Sequence, residues 1–152
     1  MKLYAILTPE EVAQAELHGR KQHSKSYYKD GDVMNHIIGK MAEYAKAKVT
    51  GQTVNNDFFI NKGDGGIDFP DGTQVKCRDW PFDNVEMFID NTSLHNDKVT
   101  NYELYYISKK DYKKGEVYFR GSISKKSVIN RKEISDKFKS VVVHLKDFDI
   151  KS

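Results

Sequence analysis

Asp68, Gln74 and Lys76 are of types that together can serve phosphoryl chemistry, and they lie within nine residues of one another. They belong to the stretch GDGGIDFPDGTQVKCRDW, residues 63–80. At its centre Pro70 and Asp71 suit the middle of a type I turn, and Gly72 suits the left-handed position that follows. Such a loop joins two antiparallel strands. In that register Phe69 opposes Thr73 and Asp68 opposes Gln74. Cross-strand partners share a face, as do residues two apart on a strand. Asp68, Gln74 and Lys76 are therefore expected on one side, with Ile67, Phe69, Val75 and Cys77 on the core side.

A carboxylate is a hard oxygen ligand suited to a magnesium ion. The side-chain carbonyl of Gln74 and the backbone carbonyl of Val75 add neutral oxygens. A metal held there would polarise a phosphoryl oxygen and acidify a bound water. Lys76 would orient that water and offset charge on the phosphate. One acid seldom suffices, so a second carboxylate is expected from a preceding helix, with Glu43 as the best candidate.

Two helices precede the stretch. Thr8, Pro9 and Glu11 form a helix start with a capping box, ahead of EEVAQAELHGRKQH. Gly19 weakens the second half of that helix. Asp32 is expected to cap VMNHIIGKMAEYAKAKV, and Gly51 to stop it. Met34, Ile37, Ile38, Met41, Tyr44, Ala45 and Lys48 recur along one side of it. Glu43 lies roughly opposite, near His36 and Lys40 and flanked by Gly39 and Ala42. Periodicity alone does not separate a ligand from a solvated glutamate there. Strands are expected at DFFINK (57–62), GIDF, TQVKCR, NVEMFID, NYELYYISKK, EVYFRGSIS and SVVVHL, and a short helix within KKSVINRKEISDKF.

The order of Glu43 on a helix, then Asp68, then Gln74-Val75-Lys76, resembles the PD-(D/E)XK nuclease superfamily. The GDGGIDF approach and the later NYELYYIS and VYFRGSISKKSVI segments add to the likeness, which spans roughly residues 33–130. The resemblance implies an α/β fold with a restriction-endonuclease-like mixed central β-sheet flanked by helices. It also implies magnesium-dependent hydrolysis of phosphodiesters, usually in DNA, with manganese able to substitute. By position, Asp68 would be the main metal ligand, Lys76 the catalytic lysine and Glu43 the helix carboxylate. Gln74 stands where many members carry an acid, so the site has one negative charge fewer.

The bulk composition fits this reading. With 152 residues, one domain over 1–152 is expected. Hydrophobic residues at 38% and charged residues at 31% exclude a disordered or membrane-embedded chain. The N-terminus lacks a signal-peptide pattern, so an intracellular protein is expected. The lone Cys77 excludes an internal disulfide and a cysteine-rich zinc site. The net charge is +3, and lysines and arginines gather at 20–29, 109–114, 125–126 and 131–139. A polyanion would meet such runs through its phosphates. Lys40, Arg78, Lys125 and Lys126 are the candidate nucleic-acid contacts, Arg78 because it shares a face with Lys76. Asp71 reads as a turn residue, Asp64 as a loop residue, and Trp80 as a packing residue. A homodimer would let one site per chain cut both strands. The competing expectation is a nucleic-acid-binding or protein-interaction module that keeps the fold without catalysis.

Overall fold

The computed structural model describes residues 1–25, 32–54, 69–131, 134–135 and 140–148. The expected strand at 57–62, the first arm of the hairpin through Asp68, Asp64, and parts of the last expected helix lie outside the described residues.

The chain opens with β1 (Lys2–Ile6), a strand that the apolar stretch MKLYAIL did not announce. The helix α1 (Pro9–Lys25) begins as its capping box requires. Thr8 N–H donates to Glu11 Oε1 at 2.8 Å, and Glu11 N–H donates to Thr8 Oγ1 at 3.1 Å. Gly19 does not end the helix. A Cβ there would sit 2.8 Å from Ile37 Cα, so glycine permits α1 to cross closely over α2 (Val33–Thr50). Asp32 caps α2 by accepting from Met34 N–H at 2.9 Å, and Gly51 closes it in the left-handed conformation, φ 75°.

Next come β2 (Thr73–Arg78), β3 (Glu86–Asp90), a single helical turn α3 (Asn91–Leu94) and β4 (Asn101–Tyr106). They are followed by β5 (Glu116–Ser124), α4 (Lys125–Arg131), β6 (Ile134–Ser135) and β7 (Ser140–His144). Two sheets result. One has the order β1-β5-β4-β2 and is mixed: β1/β5 and β5/β4 are antiparallel, while β4 and β2 run parallel. The other is antiparallel, in the order β3-β7-β6.

Each face of the mixed sheet carries its own core. On one face Val75, Tyr105 and Val117 pack with Val12 and Ala15 of α1 and Ile37, Ile38, Met41 and Ala45 of α2. On the other, Tyr102, Leu104 and Ile123 pack with Met87 and Ile89 of β3, Val128 of α4 and Val143 of β7. The protein is thus mixed α/β, with two long helices on one side of a four-stranded sheet and a small second sheet on the other. The short helix expected within KKSVINRKEISDKF is α4, and the two-residue strand β6 lies beyond it. Among the described residues no helix is long and apolar enough to cross a membrane.

Asp32 also accepts from Lys109 Nζ at 2.8 Å. That bond, with the one from Met34, holds the Asp32 carboxyl below its ordinary range. A depressed carboxyl binds its proton less readily folded than unfolded. Stability from it is therefore present above the ordinary aspartate pKa and is lost as pH falls through the folded value. Asp32→Ala should cost about 1 kcal/mol at pH 7. Asp32→Asn keeps the cap, forfeits only the charge, and should cost a few tenths. Urea unfolding at pH 7 and again below about pH 4 should show the wild type converging on Asp32→Asn in acid.

Candidate metal and nucleic-acid site

The turn before β2 has the expected chemistry. Gly72 N–H donates to Phe69 C=O at 3.1 Å, with Pro70 and Asp71 between them and Gly72 at φ 88°. Asp71 Oδ1 accepts from Thr73 N–H at 2.9 Å. Burial alone would raise the Asp71 carboxyl, but the bonds from Thr73 and the Lys46 ammonium hold it low. Asp68, one residue before the turn, lies outside the described residues. The described partner of β2 is β4, in parallel register with Gln74 beside Tyr102, Val75 beside Glu103 and Lys76 beside Leu104.

Alternation along β2 runs as the pattern implied. Phe69, Val75 and Cys77 pack into the core beneath α2, and Gln74 takes the other face. That other face is a second core rather than a wet patch. Gln74 is only 6% exposed, and its Oε1 accepts from Ser93 Oγ at 3.0 Å. Ser93 Oγ in turn lies 2.9 Å from Tyr102 Oη, and Ser93 N–H donates to Asp90 Oδ1 at 2.8 Å. Burial, with Asp90 nearby, raises the Tyr102 phenol, so it stays protonated. Ser93 and Asp90 were missed in the sequence. The only signal was a polar run, DNTS, directly after a strand.

Lys76 follows on the same face as Gln74 and is half-buried. Among the described residues it has no hydrogen-bond or ion-pair partner. Arg78 is exposed at the end of the strand, with its guanidinium 5.6 Å from the Phe88 ring centre. Lys125 donates from Nζ to Asn96 C=O at 2.9 Å, and Lys126 is exposed.

Glu43 is neither solvated nor joined to Gln74 or Lys76 by a described contact. It is 9% exposed and lies 3.2 Å from Lys40 Nζ, itself 5% exposed. Both residues belong to α2, which packs on the opposite face of the mixed sheet from Gln74. Lys40 is therefore a buried ion-pair partner in this structure, not a surface cation. His36 is half-buried beside His23, with ring centres 5.2 Å apart.

The residue that α2 sends to the sheet is Lys46, three positions beyond Glu43. Its Nζ lies 3.0 Å from Glu103 Oε1, 3.7 Å from Asp71 Oδ2 and 5.4 Å from the centre of the Phe69 ring. Tyr105 Oη donates to Glu103 at 3.0 Å, and burial with the adjacent carboxylate pushes that phenol strongly up. A separate groove of about 620 Å³, lined by Asp83, Glu86, His144 and Asp147 among others, contains none of the residues singled out from sequence.

Set against protein-family models, characterised proteins and solved structures, the chain matches none.

Removing one partner of a buried pair strands the other. Lys46→Met should therefore destabilise by about 3 kcal/mol, read by urea unfolding. Lys46→Met combined with Glu103→Leu should recover much of that loss. A Lys46→Met variant as stable as wild type would mean that the pair adds nothing.

Proposed function

We propose that the protein is a metal-dependent nuclease that hydrolyses phosphodiester bonds in DNA, on a restriction-endonuclease-like version of its mixed α/β fold. The observation that carries this reading is Lys76. It is a half-buried lysine without a described partner, two residues beyond Gln74 on the strand that follows the Phe69–Gly72 turn. A phosphate and its attacking water would supply what it lacks.

The donor set on this reading is all oxygen, the carboxylate of Asp68 and the carbonyls of Gln74 and Val75, while Glu43, paired with Lys40 on the helix face, would have to leave that pair to join them. That set suits Mg²⁺, with Mn²⁺ able to substitute. A carbonyl oxygen has two lone pairs, so Ser93 leaves one on Gln74 for a ligand. When bound, the ion supplies phosphoryl polarisation and an acidified water. Lys76 holds the water and offsets the growing charge on the phosphate. The water oxygen bonds to phosphorus, the 3′ oxygen leaves and takes up a proton, and a 5′-phosphate remains. Arg78, Lys125 and Lys126 would hold flanking phosphates.

A second reading has its own observation. Gln74 Oε1 already accepts from Ser93, and Glu43 is tied to Lys40 on the helix face of the sheet. Those bonds favour a nucleic-acid-binding or protein-interaction module that keeps the fold without efficient catalysis.

A panel of duplex, junction, flap and single-stranded substrates with titrated Mg²⁺ or Mn²⁺ separates the two. Cleavage is expected, and Asp68→Ala and Lys76→Ala should each lower it by about 100-fold or more. Binding without cleavage across the whole panel would favour the module.

A further inference from the structure

Trp80 is not the core packing residue that its type suggested. It is 44% exposed, and Phe82 beside it is 60% exposed. Their rings meet edge to face with centres 5.1 Å apart. Two large rings in water cost free energy unless something covers them.

The loop that displays them is held firmly. Arg120 of β5, only 4% exposed, donates from Nη1 to Trp80 C=O at 2.7 Å and from Nη2 to Phe82 C=O at 3.3 Å. Trp80 Nε1–H donates to Asn84 Oδ1 at 2.7 Å, which fixes the indole plane. A buried guanidinium spent on two loop carbonyls keeps the rings outward. The ordering that a ligand would otherwise impose is already in place.

Position and surroundings indicate the ligand. Trp80 follows β2 by two residues and Lys76 by four, a reach of at most about 14 Å along the chain. The rings are not set in a broad apolar patch. Only Pro81 stands between them, and Arg78, Asp79, Asp83 and Asn84, all exposed, flank them. Protein hot spots sit instead within wider desolvated patches. Exposed aromatic rings with a cation nearby along the chain suit single-stranded nucleic acid, the rings stacking on bases and the cation meeting the backbone; here Arg78, its guanidinium over Phe88, precedes Trp80 by two residues. Asp79 and Asp83 repel phosphates, which leaves the rings themselves to bases and the backbone to Arg78.

We propose that Trp80 and Phe82 form a stacking platform for an unpaired nucleobase, in DNA or RNA, beside the proposed cleavage site. The proposal draws its polyanion partner from the nuclease reading but does not require catalysis.

Trp80 is the only tryptophan in the chain, so intrinsic fluorescence reports this ring alone. The full-length protein is titrated in EDTA with single-stranded oligothymidylate, oligouridylate and a duplex of equal length. Single strands should quench the emission more strongly than duplex. Phe82→Ala should weaken single-strand binding by roughly 5- to 100-fold, and Trp80→Ala, followed with a labelled oligonucleotide, should do the same. Circular dichroism checks that each variant folds, and Trp80→Phe, which keeps a stacking ring, should retain most of the affinity.

Absence of quenching by any single strand overturns the platform, as do Trp80→Ala and Phe82→Ala variants that bind like wild type. Cleavage without quenching would remove the platform and leave the nuclease. Quenching without cleavage would do the reverse.

Discussion

The geometry of the molecule turns on the seat of Gly72 against Thr100. Gly72 C=O accepts from Thr100 N–H at 2.9 Å and from Asn101 N–H at 3.3 Å. A Cβ on Gly72 would lie 2.5 Å from Thr100 Oγ1 and 2.8 Å from Lys98 C=O, and its φ of 88° strains any other residue. This contact starts β2 and β4 side by side and sets their parallel register, Thr73 beside Asn101. Everything distinctive about the site follows from that register. Gln74 meets the Ser93–Tyr102 pair, Val75 meets Glu103, and Lys76 lies over Leu104. A slip of one residue would turn Gln74 and Lys76 toward the helices and drive Val75 into the other core.

The second constraint is the cost of charge beneath α2. Lys40, Glu43 and Lys46 form one i, i+3 ridge, and none is more than 9% exposed. Removing such groups from water is repaid only when they are paired and hydrogen-bonded. Lys40 and Glu43 pair within the helix, while Lys46 reaches Glu103 and Asp71. Tyr105 adds a phenolic donor to Glu103. The ridge therefore ties the helix to the turn before β2 through directional bonds, which apolar packing alone would not specify. Lys46 also touches the Phe69 ring, so the turn is gripped at both its first residue and its aspartate.

Local signals in the sequence were strong wherever the backbone itself demanded a residue type. The Thr8–Glu11 box, the Asp32 cap, the Gly51 stop and the Pro70-Asp71-Gly72 turn all lie where composition put them. Strand alternation correctly separated Val75 and Cys77 from Gln74. What alternation does not encode is the layer that covers each face. The polar side of β2 reads as solvent-facing, yet β3 and β7 close over it, because a strand's two faces look alike until a distant segment chooses one. Glu43 misled in a related way. A glutamate off the apolar stripe is usually wet, yet this one is buried and paired with Lys40. Lys46 and Glu103 carried no separate mark, since each reads as a surface charge until a register 57 residues apart brings them together.

Along β2 and its exit, one continuous segment passes through four environments in succession. Gly72 is wedged against Thr100, Gln74 is sealed by a hydroxyl, Lys76 is half-covered with no partner among the described residues, and Arg78 reaches the surface over Phe88. Beyond it the chain is held by Arg120 with its aromatic rings outward. Burial thus falls from Gly72 to the loop, while the register set at Gly72 pairs residues 73–78 with β4. It follows that the seat at Gly72, although it carries no chemistry of its own, fixes the spacing between Lys76 and the outward rings.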